Sequence, residues 1–415
     1  MEREAWVTGL GVVSTLGEGP DIHWSSLGST PARRSATVGV DSSSHSPYTV
    51  HPLGQVDIDR LIPSKADRKQ MGRWQRLGVH TAGLALADAG VAGDAAILDR
   101  MDLVVAAGNG ERDEAFDAKL LEQLSTTDAA ARAGDLNTAL MSGLRPTLYL
   151  GELSNLLAGN IQIVHKVTGS SRTLKGEEIS GLSALEDATQ RIVGGQADIV
   201  LTGGAFNAER DDVLLNYELA HSLWAEPFAP VWSRADAGGG FVPGSAAAFL
   251  VIEERGHALA RGAKAYAKIS AIVCDRSRRA AAGDIIETLS QVRKHLNHDL
   301  SQRPTGILSG ASGAEPATTQ EHAFLSQWIG SSGHAVPVRA YGTCLGHSVE
   351  AHAPIGMALA SLALQRKGFF EPFDQDPLES ACLTPPECIV VTSVGHWRGE
   401  GLALLERLDT GARAP

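Results

Sequence analysis

Cysteine is scarce, and what little there is sits far apart. Cys274, Cys344, Cys382 and Cys388 form no C-x-x-C pair, so neither a disulfide framework nor a zinc ribbon is indicated. Positive charge is in deficit: 36 Lys and Arg face 48 Asp and Glu, for a net charge of -12. That balance argues against a nucleic-acid partner. Long apolar runs are missing too; "SAAAFLVIEE" is among the best and is far too short to span a membrane. The start "MEREAWVTGL" has no apolar core or small-residue cleavage site, so no signal peptide is read there and a reducing cytoplasm is the expected location. The common catalytic signatures are also absent. There is no G-x-x-x-x-G-K-[ST] and no H-E-x-x-H, "GNGERD" lacks the third glycine of a dinucleotide fingerprint, and Ser180 in "EEISGLS" is not in a G-x-S-x-G elbow. No cofactor and no metal site is expected.

Glycine, by contrast, is plentiful, with 45 residues that cluster at the ends of apolar runs, as tight strand-to-helix turns require. Short buried-strand patterns ("DLVVAAGNG", "ADIVLTGGAF", "AFLVIEE", "TGILSGASG", "ECIVVTSVG") alternate with helical periodicity at Trp74 to Ala89, Ala281 to Leu296, Ile179 to Val193 and His352 to Leu364. The alternation predicts an α/β fold. "MDLVVAAGNGERDEAF" and "TGILSGASGAEPATTQ" echo each other half a chain apart, which suggests two similar halves. At 415 residues two units are the default, divided as 1–255 and 256–415. The Ser/Pro-rich stretch 29–50 reads as a surface loop. The basic run "SKADRKQMGRWQR" reads first as a solvated helix face and second as a landing site for an acidic carrier protein.

The stretch "TLKGEEISGLSALEDA" has the outline of a nucleophile turn without a nucleophile. A glycine turn leads into an apolar helix whose first turn carries Glu177 and Glu178. Carboxylates there complement the positive end of the helix dipole, for roughly 0.3–1 kcal/mol each. On that ground alone the pair reads as capping, not as acid–base machinery.

The whole chain resembles the β-ketoacyl synthases of the thiolase superfamily. The likeness runs from "VTGLGVVSTLG" through "ADRKQMGRWQRLGVHTAGLALADAG", "NLLAGNIQIVHKVTGSS" and "PVWSRADAGGGFVPGSAAAFLVIEERGHALARGAKAYAKI" to "TSVGHWRGEGLALLE". It implies a thiolase fold: duplicated βαβαβαββ-like halves in a five-layered α/β/α/β/α arrangement. It also implies where the chemistry should sit, and there this chain departs. The nucleophilic cysteine position is Glu178, which cannot carry an acyl thioester. The His-Gly-Thr-Ser-Thr histidine is Gly310. In the Lys-Ser-x-x-Gly-His motif the lysine is Gly342, while His347 is retained and reads as a buried, hydrogen-bonded relic. The "GEGA" turn is "GSAA" at Gly244 to Ala247, and Cys344 reads as ordinary core. The small-residue Gly-Phe-Gly-Gly loop has become "GHWRGEG", so His396, Trp397 and Arg398 are expected to fill the space beside the nucleophile position.

These losses together imply a non-condensing homologue. The branch it resembles is the chain length factors of type II polyketide synthases, which pair with an active ketosynthase supplied by acyl carrier protein. Leu148 and Tyr149 in "RPTLYLGEL", with Phe116, are the residues expected to wall the partner's acyl tunnel. A polyene product is the leaning. Two other readings stay open: a malonyl decarboxylase using Glu178 and His347, and a homodimeric scaffold without catalysis.

Overall fold

Strand β1 (Ala5–Ser14) is buried at all ten positions, as a strand covered on both faces must be. The computed structural model describes residues 3–29, 38–144 and 148–408, the side chains of Leu148 and Tyr149 excepted. After β1 come β2 (Gly17–Glu18), β3 (Asp102–Ala106), β4 (Ser171–Leu174), β5 (Ile199–Phe206) and β6 (Ala246–Glu254). They are followed by β7 (Ala267–Asp275), β8 (Thr305–Ser309), β9 (Val338–Ala340), β10 (Cys388–Val394) and β11 (Glu400–Glu406). All join one path, β4-β3-β5-β6-β1-β7-β11-β10-β8-β9, with β2 paired to β1.

That order is one pattern used twice. In β4-β3-β5 the strands are parallel, and β6 and β1 continue antiparallel. In β9-β8-β10 they are again parallel, and β11 and β7 again continue antiparallel. The chain visits both sets in the same sequence. The two meet only where Ala5–Val7 pairs with Ala267–Ile269. The echo read from two glycine turns is thus the trace of a duplicated topology.

The helices that matter here are α1 (Arg73–Asp88), α2 (Glu114–Thr126), α3 (Arg132–Gly143), α4 (Leu156–His165), α5 (Glu178–Val193), α6 (Asp211–Leu219), α7 (Asp284–Leu296), α8 (Ala317–Gly330) and α9 (His352–Arg366). Three apolar clusters separate the layers. Trp74, Leu77, Leu86, Leu157 and Ile161 place α1 and α4 on one outer face. Ile285, Leu289, Val292, Phe324 and Trp328 place α7 and α8 on the other. Between the halves lie α5 and α9, through Leu182, Leu185, Ile192, Ile355, Leu359 and Leu362. Helix α9 is buried from His352 to Leu364, which is why its sequence is apolar all round instead of striped. Each fully buried Leu or Ile there contributes about 1.5–3 kcal/mol, so the central layer is where the fold is held.

The five-layered thiolase arrangement is therefore present. The expected strands and helices appear with ends shifted by a few residues; β4 and β9 are too short to show a period. The run 64–76 covers the helical turn Lys65–Gln70, capped by Ser64 accepting from the Asp67 backbone N–H, and the start of α1. Arg68 and Arg76 there pair with Asp59. Helices α2 and α3 carry no fully buried residue. Among the described residues no helix is long and apolar enough to cross a membrane.

Candidate functional site

The turn between β4 and α5 is strained. Glu177 has φ 58° and ψ -140°, a conformation that costs a non-glycine residue and persists at sites where geometry matters. It swings the chain so that Glu178 opens α5, facing inward. Glu178 is buried, and its Oε1 accepts three N–H groups. These are His347 Nε2 at 2.8 Å, His396 Nδ1 at 2.6 Å and the His396 backbone N at 3.1 Å. Oε2 has no partner. Burial alone would push the Glu178 carboxyl up, but the charge on His396 and the hydrogen bonds from both histidines hold it well below the usual range. The capping explanation is thus too weak. Glu178 is the hub of a buried cluster.

His347 is set by backbone. Its N–H donates to Val242 O at 2.8 Å and its carbonyl accepts from Gly244 N at 3.0 Å, so the "GSAA" segment serves as its clamp. A second histidine, His352, packs on it with ring centroids 4.4 Å apart. Its ring occupies the room above two glycines. A Cβ at Gly310 would lie 3.5 Å from His352 Cδ2, and one at Gly342 would lie 3.6 Å from Cε1. Those glycines stand where the resemblance puts a histidine and a lysine, so part of the lost bulk returns from the head of α9. Burial lowers the pKa of both His347 and His352. His347 is buried and hydrogen-bonded, and it belongs to a cluster with His352 and His396.

His396 is held by its loop. Gly395 N donates to Gly399 O at 2.9 Å. Arg279 donates to Gly395 O at 2.6 Å and His396 O at 2.9 Å while pairing with buried Glu400 at 2.8 Å. Tyr217 and Phe241 flank the imidazole at centroid distances of 5.4 and 5.3 Å. Burial would lower the His396 pKa, but the adjacent Glu178 carboxylate, and then Glu177, raise it.

The loop does not fill the site as its bulk suggests. His396 points inward, but Trp397 is 64% exposed and Arg398 is exposed as well. Together they rim a cavity of about 680 Å³, walled by Trp74, Phe206, Val213, Tyr217, Gly108, Asn109, Glu177 and Glu350. Of the three residues expected to fill the space, His396 turns inward while Trp397 and Arg398 stand at the rim. Glu350, whose carboxyl lies against Gly108, has its pKa pushed up to about 8, by burial first and then by the charges of Glu177 and Glu178.

Glu178, His347 and His396 offer three ligand atoms within 4.8 Å of one another. The composition suits zinc, yet the fit is poor. Both ring nitrogens are already committed to Glu178 Oε1 at hydrogen-bond length, and His347 Nδ1 has no acceptor to orient it, as a metal-bound histidine normally has.

Elsewhere, Cys344 is buried in the central core. Phe116 is half-buried and abuts Gly143 across the α2–α3 hairpin. Leu148 and Tyr149 begin a short helix, but their side chains lie outside the described residues. Sequence reasoning missed His352, Glu350 and Arg279. The first two had a signal: "HSVEAHAP" brings a carboxylate and a second histidine into the start of an apolar helix.

Comparison with known proteins agrees with this architecture. A family model described as the β-ketoacyl synthase N-terminal domain matches residues 2–258. A 3-oxoacyl-[acyl-carrier-protein] synthase 2 of Rhizobium meliloti is 28% identical over 64% of this chain and 63% of its own length. The tetracenomycin polyketide synthase ketoacyl synthase alpha subunit of Streptomyces glaucescens is 25% identical over 88% of this chain and 85% of its own. Among solved structures, the ishigamide ketosynthase/chain length factor superposes with a TM-score of 0.77 at 20% identity, over 99% of this chain and 100% of that one.

Proposed function

Because the chain belongs to the β-ketoacyl synthase family, we propose that it is a non-condensing, ketosynthase-like subunit of a type II polyketide system. In that role it acts as a chain length factor beside an active ketosynthase. One observation carries the reading: the nucleophile position holds Glu178, whose carboxylate is pinned by two histidines and a backbone N–H. A pinned carboxylate cannot take up an acyl chain as a thioester. The four cysteines do not replace it, since Cys344 and Cys388 are buried and burial pushes the Cys274 and Cys382 thiols up. The relative from Streptomyces glaucescens, named as a polyketide ketoacyl synthase subunit, supports the polyketide setting.

In this reading the partner holds the growing chain and receives malonyl units from acyl carrier protein, in the cytoplasm. This subunit completes the pair and shapes the far end of the tunnel, with Leu148, Tyr149 and Phe116 as its wall. The exposed apolar side chains on α2 and α3, Leu121 at 68% and Met141 at 81%, fit a face that a partner covers. A linear polyene is the proposed product class.

The test is co-expression with a ketosynthase encoded beside it. A 1:1 complex that condenses malonyl units, where neither chain alone does so, supports the reading; a homodimer indifferent to the ketosynthase favours a scaffold. The 2.8 Å contact between Glu178 and His347 favours one other reading, decarboxylation of malonyl-carrier protein. Malonyl-dependent CO₂ release by this chain alone, lost on Glu178→Gln, would select it.

A further inference from the structure

Glu178 does for His396 what a buried carboxylate does for the histidine of a nucleophile–base relay: it accepts the Nδ1–H hydrogen bond and fixes the ring. The Nδ1–H reaches Oε1 at 2.6 Å, and the backbone N–H of the same residue reaches that oxygen at 3.1 Å. Tautomer and orientation are therefore set from two directions. Nε2 is left as the working nitrogen. It makes no hydrogen bond among the described residues, and the ring lines the 680 Å³ cavity. The same cavity is lined by the Glu350 carboxyl, which burial keeps protonated at neutral pH. A ring fixed at Nδ1, whose Nε2 offers a lone pair once the imidazolium that Glu178 favours has lost its proton, and a carboxylic acid lining the same cavity are what general acid–base catalysis requires.

We propose that this cavity is a thiol-independent enolisation site, with His396 as base and Glu350 as acid, for a carbonyl compound that carries both apolar and polar groups. His396 Nε2 removes a proton from the carbon beside the carbonyl. The C–H electron pair becomes the carbon–carbon double bond, and the carbonyl oxygen takes the Glu350 proton. Return of both protons regenerates imidazole and carboxylic acid, so no co-reactant is consumed. Trp74, Phe206, Val213 and Tyr217 supply the apolar walls. Glu178 is a positioning residue: it acts through His396 and stays behind it. This explains why a carboxylate, and not merely a small side chain, stands at position 178. The proposal needs the cavity and no second subunit, so it stands or falls separately from the pairing proposed above.

The test follows α-hydrogen exchange in D₂O by mass spectrometry, with the purified full-length chain and the octanoyl thioester of N-acetylcysteamine. Deuterium uptake at least tenfold faster than in buffer is expected. His396→Asn keeps an N–H toward Glu178 but has no second ring nitrogen, and should return exchange to the buffer rate. Glu350→Gln should slow it at least tenfold, and serves as the deciding variant if His396→Asn does not fold. Glu178→Gln supplies the readout that a merely structural role would not move. The groups facing His396 are Glu177, Glu178, His347, Arg279, Tyr217 and Phe241. Removing the Glu178 charge lets burial and Arg279 lower the imidazole pKa, so the rising limb of the pH–rate profile should move to lower pH. Exchange at the buffer rate in the wild type, or full activity in a folded His396→Asn or Glu350→Gln, would overturn the proposal. So would a Glu178→Gln profile that is lower but unshifted.

Discussion

At position 350 the protein carries a carboxyl that folding makes neutral. Its pKa rises to about 8 in the folded state, against about 4.3 for an unfolded glutamate. Between those values the folded state holds a proton that the unfolded state has lost. Stability therefore falls as pH rises through that window, by up to ~1.4 kcal/mol per unit. Glu350→Gln removes the slope, so its melting temperature relative to wild type should climb between pH 5 and pH 8. A constant offset across that range would contradict the assignment. Glu178 has the opposite sign. Its depressed pKa contributes stability that is present above the unfolded value and lost as pH falls through the folded one. Glu178→Ala strands two buried ring N–H donors, at about 1–3 kcal/mol each, yet should leave condensation by an assembled pair within a few-fold of wild type. A collapse of turnover in an intact complex would favour the decarboxylase reading.

The same residues show how much was legible beforehand. The family resemblance put Glu178 at the nucleophile position and Gly310 and Gly342 where a histidine and a lysine are expected. The cluster they belong to was not legible there. It depends on His352 entering the space those glycines vacate and on His396 turning inward while Trp397 turns out, and both are matters of backbone direction that a local pattern does not encode. The cavity was missed for the same reason: bulk in a sequence does not say which way it points.

At the scale of elements, the loop between β10 and β11 is the piece that presents His396, and it is built to be rigid. Gly399 has φ +90°, and a Cβ there would lie 2.6 Å from Ile179 Cβ on α5. Gly399→Ala should therefore combine backbone strain with overpacking, at about 1–3 kcal/mol. Arg279→Ala should be costlier, up to about 3–5 kcal/mol, because it leaves the buried Glu400 charge without its cation and with Ser277 as its remaining hydrogen-bond donor. Chemical denaturation checks both, and a neutral Arg279→Ala would mean the loop is held by other contacts. The echo of a buried strand and a glycine turn suggested two similar halves, but the strand order they share had no sequence signal. The helix Leu148–Glu152 makes a different kind of prediction. If its first two residues wall the tunnel, Tyr149→Ala should lengthen the product of an intact pair; a stability loss with unchanged product length would place the wall elsewhere.

For the molecule as a whole, the account makes a division of labour. This chain keeps the family's five layers and central helices; on the proposed reading, the pinned carboxylate of Glu178 stands where the resemblance puts the nucleophile, and the covalent work falls to a partner. Alone it should self-associate through the exposed side chains of α2 and α3; with the ketosynthase it should elute as a 1:1 complex. The most direct measurement is intact-mass spectrometry of that complex after incubation with acyl-loaded carrier protein. The account predicts an acyl adduct on the ketosynthase and none on this chain. A stable acyl adduct on this chain would contradict it.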